Sequence, residues 1–410
     1  MKNVLKISLA AFVFIGLSSC ANPDKRRAKG ELEVISVQPI GDGDLRDDIK
    51  SIKYVQLETT DESVFGEVTH MLVHEDKIII KDNLSKIYLF DKQTGRFIHL
   101  IGSMGGGAEE YANAGSIALN PSKNGITLWD RKLGKLISYD WDNNLLFSMN
   151  LEVLNEACPE DVYLLDENTA IFSTSIAGKG AYSDPLYDPY IYLVVDIKDD
   201  RVLDTFLSKK PFTGMKSTFT PYLKKPGNIN GNQFMTIKVA NDTLFNWTQE
   251  DGFKPSCKIG LPDSYRFASL DLINEQSGFP ELGSILVRES GYFSGFNTHF
   301  QTDNYIYLSC CAFKDGAVLL NKNNLTGKIL PWGWGNDESV DANCERIFRG
   351  KGMFKIYAAS DNEFIGLFED YSATEAMIKD KKDIQIPEEL KEILEKSTED
   401  SNPCIVIYEV

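Results

Sequence analysis

The sequence is poor in cysteine, with seven in 410 residues and no C-x-x-C pair. Disulfide-stapled scaffolds and zinc or thioredoxin-like sites need more thiols or closer ones, so those classes are excluded. Histidine is scarcer still, at four. His70 and His74 are close in sequence, but on a strand an offset of four residues separates them by about 13 Å. No histidine metal centre is therefore expected. Basic charge is also short: 43 Lys and Arg stand against 60 Asp and Glu, for a net charge of −17. Beyond Lys25-Arg26-Arg27 no basic block appears, and such a chain repels phosphate, so a nucleic-acid binder is excluded. Long apolar runs are missing, and Ile7–Leu17 is too short to cross a bilayer. Composition is otherwise ordinary, at 42% hydrophobic and 25% charged, which excludes disorder and collagen.

What is present begins with an address. Lys2 and Lys6 precede the apolar stretch Ile7–Leu17, in the order of a secretory signal. The stretch ends Leu17-Ser18-Ser19-Cys20, a branched apolar residue, two small residues and a cysteine, which is the bacterial lipobox pattern. Residues 1–19 are expected to be a signal peptide, cleaved before Cys20, whose thiol is then acylated. The competing reading is a plain secretory signal with an incidental cysteine. Several acyl chains on Cys20 make a stable anchor. Residues 20–30 read as a polar, lipidated tether, and residues 31–410 as one folded domain. Loss of residues 1–19 removes two lysines and no acid, taking the net charge from −17 to −19. Cys158, Cys257, Cys310, Cys311, Cys344 and Cys404 are then expected mostly as small buried thiols, with one or two disulfides open as an alternative.

The domain reads as short strands broken by Asp, Asn and Gly, with helical periodicity nearly absent until its end. Two signals repeat. A turn residue starts a strand at Asp76, Asn124, Asn168, Asn232, Asn304 and Asn362, at spacings of 44 to 72 residues. Asn and Asp suit such places because they tolerate left-handed geometry and satisfy local backbone groups. After each of the first five, a strand ends in a polar hairpin turn, at Asp91–Arg96, Asp140–Asn144, Asp196–Asp200, Thr248–Gly252 and Asn321–Asn324. Together these give units of four antiparallel strands, the blade of a β-propeller. An all-β sandwich is the competing architecture. The sixth unit has strands at Lys355–Ala359, Phe364–Phe368 and Cys404–Tyr408 and lacks one. Ile52–Leu57 would supply it, so the expected fold is all-β, a six-bladed β-propeller whose ring closes by an N-terminal strand pairing with the C-terminal blade. One short helix is expected in an insertion of the last blade, with Pro387 in its first turn and Leu390, Ile393 and Leu394 as its apolar stripe.

The segments Asp82–Asp91, Gly102–Tyr111 and Trp129–Asp140 resemble NHL-type blades. With the lipobox, the Ile52–Glu58 strand and the Asn402–Tyr408 strand, residues 30–410 resemble the six-bladed β-propeller lipoproteins of the Bacteroidetes. That resemblance implies a lipid-anchored outer-membrane protein of the cell envelope. Ala21–Arg26 lacks an acidic run after the cysteine, which favours the periplasmic side over the cell surface.

Chemistry is thinly marked. Gly105-Gly106-Gly107 lacks the Lys-Ser/Thr and helix of a phosphate loop. No G-x-S-x-G elbow and no calcium-loop spacing occurs. The long insertions Gly102–Tyr111, Ser175–Pro189, Leu207–Asn228, Leu261–His299 and Pro331–Asn343 fall on one propeller face, where ligands bind. On or near that face Tyr182, Trp332 and Trp334 offer rings for stacking, and Arg131 and Arg288 offer guanidinium groups for an acidic moiety. The expected function is binding of a glycan, a peptide or a protein partner by a monomer, with no catalytic residues, metal or cofactor. A hydrolase or lyase using carboxylates in the central funnel is the alternative, and a purely structural envelope scaffold is a third reading.

Overall fold

Short runs of branched and aromatic residues favour extended backbone, and the chain follows them. The computed structural model describes residues 32–39, 44–154, 159–174, 190–208, 227–229, 232–236, 242–248, 250–262, 266–267, 292–293, 296–310, 317–330, 347, 353–369, 371, 375 and 386–410. Strand β1 is Glu33–Pro39 and β2 is Ser51–Gln56. A four-stranded sheet follows, of β3 (Val68–His74), β4 (Lys77–Asp82), β5 (Ile87–Asp91) and β6 (Phe97–Leu100). The next holds β7 (Ala114–Leu119), β8 (Gly125–Asp130), β9 (Lys135–Asp140) and β10 (Leu145–Asn150). A third holds β11 (Pro159–Leu164), β12 (Thr169–Thr174), β13 (Tyr190–Asp196) and β14 (Arg201–Ser208). Then come β15 (Gly227–Ile229), β16 (Asn232–Thr236), β17 (Thr243–Thr248) and β18 (Gly252–Gly260). The short strands β19 (Arg266–Phe267) and β20 (Tyr292–Phe293) pair with each other. Another meander comprises β21 (Phe296–Gln301), β22 (Tyr305–Cys310), β23 (Ala317–Asn321) and β24 (Thr326–Leu330). The chain ends with β25 (Ile356–Ala359), β26 (Glu363–Phe368), helix α1 (Glu388–Lys396) and β27 (Cys404–Glu409).

The first strands of these sheets pack side by side: β3 against β7 and β25, β7 against β11, and β21 against β25 and β15. Apolar side chains fill the seams between sheets. Ile79, Leu89, Ile117, Leu128 and Ile137 form one seam, and Trp129, Val162, Phe172 and Leu193 form the next. Several four-stranded antiparallel sheets stacked in this way, with one C-terminal helix, resemble propeller structures.

The two ends of the domain meet as expected. β2 runs antiparallel to β27, with Ile52 opposite Tyr408 and Tyr54 opposite Val406, and completes the order β2-β27-β26-β25. β1 was not expected, because the first strand signal was placed at Ile49. Its first half pairs parallel to β18, from Glu33–Cys257 to Ser36–Gly260, and its second half pairs parallel to β24, from Ser36–Thr326 to Pro39–Ile329. It thereby joins two antiparallel meanders into one nine-stranded sheet. Ile35 and Val37 are fully buried beside Leu244, Ile259, Leu308 and Val318.

All six turn residues stand at or just before a second strand, but their conformation is not the expected one. At two of these turns the left-handed residue is Glu75 or Lys123, one place earlier than Asp76 or Asn124. The Asx side chains work instead as acceptors, Asp76 for Lys77 Nζ and Asn124 for Asn120 Nδ2 and Ser122 Oγ. In the later hairpins the carboxylate closes the turn: Asp91 Oδ1 accepts the amides of Gln93 and Thr94, and Asp196 Oδ1 those of Lys198 and Asp199. These bonds favour the ionised form and hold both carboxyls below their ordinary range, Asp91 mainly through Thr94 and Asp196 mainly through the Asp199 amide. Gly95, at φ +70°, ends the first such hairpin, and a Cβ there would lie 2.0 Å from Gln56 O, so only glycine fits.

Pro387 occupies the N-cap of α1 rather than its first turn. Leu390 and Leu394 are buried and Ile393 is partly buried in a cluster with Tyr54 and Phe368, so the helix packs on the closing sheet. Cys257 and Cys404 are buried free thiols, pushed up by burial to about 11 and about 12.

Candidate functional site: a cavity among the first strands

A cavity of about 230 Å³ lies between β3, β7, β11, β21 and β25. Its walls are mostly apolar, from Met71, Leu72, Val73, Ile117, Leu119, Val162, Leu164, Phe300 and Tyr357. First strands present these residues because both of their faces are turned toward neighbouring sheets, which selects apolar side chains on either side of the pleat. The polar exceptions sit toward the two ends.

At one end the lining reaches His70 and Ser116, near the starts of β3 and β7. His70 Nε2 lies 3.1 Å from Asp161 Oδ1 on β11, a pair reaching across 91 positions of sequence. The other ring nitrogen lies 3.3 Å from Thr69 Oγ1, which accepts a hydrogen bond from Lys81 Nζ at 2.9 Å. Ser116 Oγ accepts the amide of Val162. Asp161 is 3% exposed, and its second oxygen, Oδ2, is buried without a hydrogen-bond partner. In the same cross-strand row, Ser173 Oγ and Tyr192 Oη are likewise buried and unpartnered. Burial pushes the Lys81 ammonium below its ordinary value, against the pull of Asp82 and Asp161.

At the other end the lining reaches Asn120, Pro121 and Lys123 in the turn after β7, and Leu165 after β11. This is the end of the short turns. A side groove of about 120 Å³ adjoins it, shares Asn120, Pro121 and Leu164, and is walled by Asp166 and Glu167. The described lining therefore reaches the short turns at this end and the starts of β3 and β7 at the other.

Arg131 is half-exposed and its guanidinium binds the Glu160 carboxylate, away from the cavity lining. Burial pushes the Glu160 carboxyl up, Arg131 opposes this, and Asp161 adds to it. Tyr182, Arg288, Trp332, Trp334 and Cys20 lie outside the described residues. The glycine turn Gly105–Gly107 folds around Glu110, whose carboxylate accepts the Gly107 amide at 2.9 Å, so a side chain of this protein fills the place of an anion. Among the described residues no group of three or more His, Cys, Asp or Glu stands close enough to hold a metal ion. Nor, among them, is any helix long and apolar enough to cross a membrane. Sequence reasoning missed His70, Asp161 and Lys81. They lie on three different strands, and only their alternation with apolar neighbours sets them apart in the sequence.

A protein-family model described as "Domain of unknown function (DUF4934)" matches residues 34–409. Among solved structures, the chain is similar to a candidate exported protein of Bacteroides fragilis, at 17% identity and a TM-score of 0.69, over 92% of this chain and 99% of that one. It is also similar to a member of the DUF4221 family from Bacteroides vulgatus, at 8% identity and a TM-score of 0.52, over 88% of this chain and 96% of that one. At such identities the likeness is one of fold. No curated protein matches the chain.

Proposed function

The chain belongs to this family of domains of unknown function over residues 34–409, and we propose that it is a lipid-anchored six-bladed β-propeller of the bacterial envelope that binds a small ligand in its central cavity. Six blades follow if the nine-stranded sheet is counted as two, with β1 as a strap between their outer strands. The contacts among first strands support a ring, and β2 is then its closing strand, the outermost of the last blade. The observation that carries the binding reading is the cavity, an apolar space with a few polar groups at its ends, which is the general form of a small-molecule site. Burial of an apolar ligand there contributes about 25 cal/mol per Å² removed from water. A hydrolase or lyase reading would rest on Glu160, whose half-buried carboxyl is pushed up beside Asp161. Binding is favoured because Glu160 is held by Arg131 and does not line the cavity.

Anchoring and binding are tested separately. Cys20→Ser is expected to move the protein from the membrane to the soluble fraction of cells. An unchanged membrane fraction would remove the anchor from the reading. The soluble Cys20→Ser chain is then screened for melting shifts with small apolar probes, indole and hexanol. Saturation at a hundred times Kd stabilises the folded state by about 2.7 kcal/mol. Ile117→Trp fills the cavity and is expected to abolish the shift while the chain stays folded. Equal shifts in both proteins would place binding elsewhere.

A further inference from the structure

We infer that the side groove is a second site, independent of the central cavity, and that it takes a neutral hydroxylated ring such as a pyranose. The groove, of about 120 Å³, lies between the second and third four-stranded sheets, among the turns after β7, β11 and β13. One pair of side chains sets it apart. In the second sheet the third pair of the β8–β9 ladder, counted from Gly125–Asp140, is Thr127–Ser138. The pair at the same place, counted from Lys77–Asp91, Thr169–Asp196, Tyr305–Asn321 and Glu363–Glu409, is apolar or aromatic: Ile79–Leu89, Ile171–Val194, Tyr307–Leu319 and Ile365–Ile407. Thr127 and Ser138 are both fully buried. Two hydroxyls thus stand where apolar side chains fill the other sheets, and a local departure from the pattern of a fold is the mark of a functional place.

Buried hydroxyls are costly unless hydrogen-bonded, and Asn120, 5% exposed, meets that need. Its Oδ1 accepts from Thr127 Oγ1 at 2.6 Å, and Ser138 Oγ donates between Asn120 Oδ1 at 3.2 Å and Ile126 O at 3.1 Å. Asn120 Nδ2 donates to Asn124 Oδ1 at 3.1 Å, which also accepts from Ser122 Oγ at 2.7 Å. All five side chains line the groove. What the network leaves over decides the ligand. The hydroxyls have turned their protons inward and keep lone pairs as acceptors, while Asn120 and Asn124 keep amide protons that no described residue accepts. Donors and acceptors therefore stand side by side, and a hydroxyl, which does both, fits each kind. A carboxylate or phosphate would use the amide protons alone, and among the described residues no Lys or Arg lines the groove to hold it, whereas Asp166 and Glu167 do line it. Leu146, Phe147 and Leu164 supply an apolar wall for the C–H face of the ring, so fixed polar groups and apolar lining meet in one space.

Methyl β-D-glucopyranoside and glucuronate, titrated into the soluble Cys20→Ser chain with ligand-observed NMR, test the inference. The neutral glucoside is expected to bind about five- to tenfold more tightly than the anion, the yield of about one net hydrogen bond. Asn124→Asp keeps the oxygen that accepts from Asn120 and Ser122 and removes the amide protons. Ser138→Ala removes an acceptor and leaves Thr127 to serve Asn120. Each should weaken the glucoside by a similar factor and leave the melting point of the ligand-free chain unchanged, which a folding defect would not do. Ile117→Trp, which fills the central cavity, should leave glucoside binding intact. No binding of the glucoside, equal affinity in both groove variants, or tighter binding of glucuronate would overturn the inference. Loss of binding in Ile117→Trp would place the sugar in the central cavity and overturn the second site. A central cavity that takes none of its apolar probes leaves these expectations as they stand, so the two readings fail separately.

Discussion

A chain that begins at Glu58 will lose cooperative unfolding, whereas one that begins at Asp44 will keep it at a lower denaturant midpoint. The first truncation removes β2. Six residues of β27, from Cys404 to Glu409, then lose their outer partner, and a buried edge becomes an open one. Tyr54 and Leu57 leave the core with it. So does Gln56, whose side chain donates to Asn402 O and accepts from Tyr371 Oη at 2.9 Å. Helix α1 packs on this strand and loses its seat. The second truncation removes only β1. Ile35 and Val37 are the fully buried residues that go, at about 1.5–3 kcal/mol each. The two meanders keep their own ladders and lose the strap between them. Urea unfolding followed by tryptophan fluorescence and far-UV circular dichroism separates the cases. Coincident, cooperative transitions in the chain starting at Glu58 would refute the closing role of β2.

Asp130→Ala should cost more than about 3 kcal/mol, although it removes no apolar surface. Asp130 is fully buried at the end of β8. Its Oδ1 accepts the amides of Lys132 and Leu133, and its Oδ2 those of Ala112 and Asn113. One carboxylate thus closes the turn into β9 and fixes the approach to β7. Hydrogen bonds to a charged group are worth about 1.5–3 kcal/mol each, and amides left buried without a partner cost more. Ala112 and Asn113 lead directly into β7, which lines the cavity, so the variant should also weaken binding of the apolar probes. Asp82 occupies the same place in the preceding sheet, where it accepts the amides of Leu84 and Lys86 and the hydroxyl of Tyr88. Asp82→Ala should destabilise similarly. A loss below 1 kcal/mol in chemical denaturation would show that solvent replaces these bonds.

The strands were legible in the sequence because their signals are local. A branched pair such as Ile79 and Ile80 needs burial on both faces of its strand, and Asp91 closes a hairpin within four residues of itself. The pairing of β2 with β27 was legible because the last unit lacked a strand. The site was not. His70 and Asp161 meet across 91 positions, and Lys81 joins them from a third strand. Each alone is one polar residue in an apolar run. β1 escaped for a related reason: seven residues with Ile35 and Val37 facing inward carry too little pattern to name a partner, and its parallel neighbours lie more than 200 positions away. At two of the six turns the left-handed residue, Glu75 or Lys123, stands one place before the Asx residue, and Asp76 and Asn124 serve as acceptors.

By itself the sequence determined the β class of this protein, the positions of its hairpins, its acidity and the meeting of its two ends. Each follows from local propensity, turn chemistry or composition, which act within a few residues. Only the tertiary structure decided that the cavity lies among first strands and that a hydrogen-bonded pair, His70 and Asp161, crosses one end. Those features depend on which strands stand side by side, and close packing of distant segments is not written at any one place in the chain.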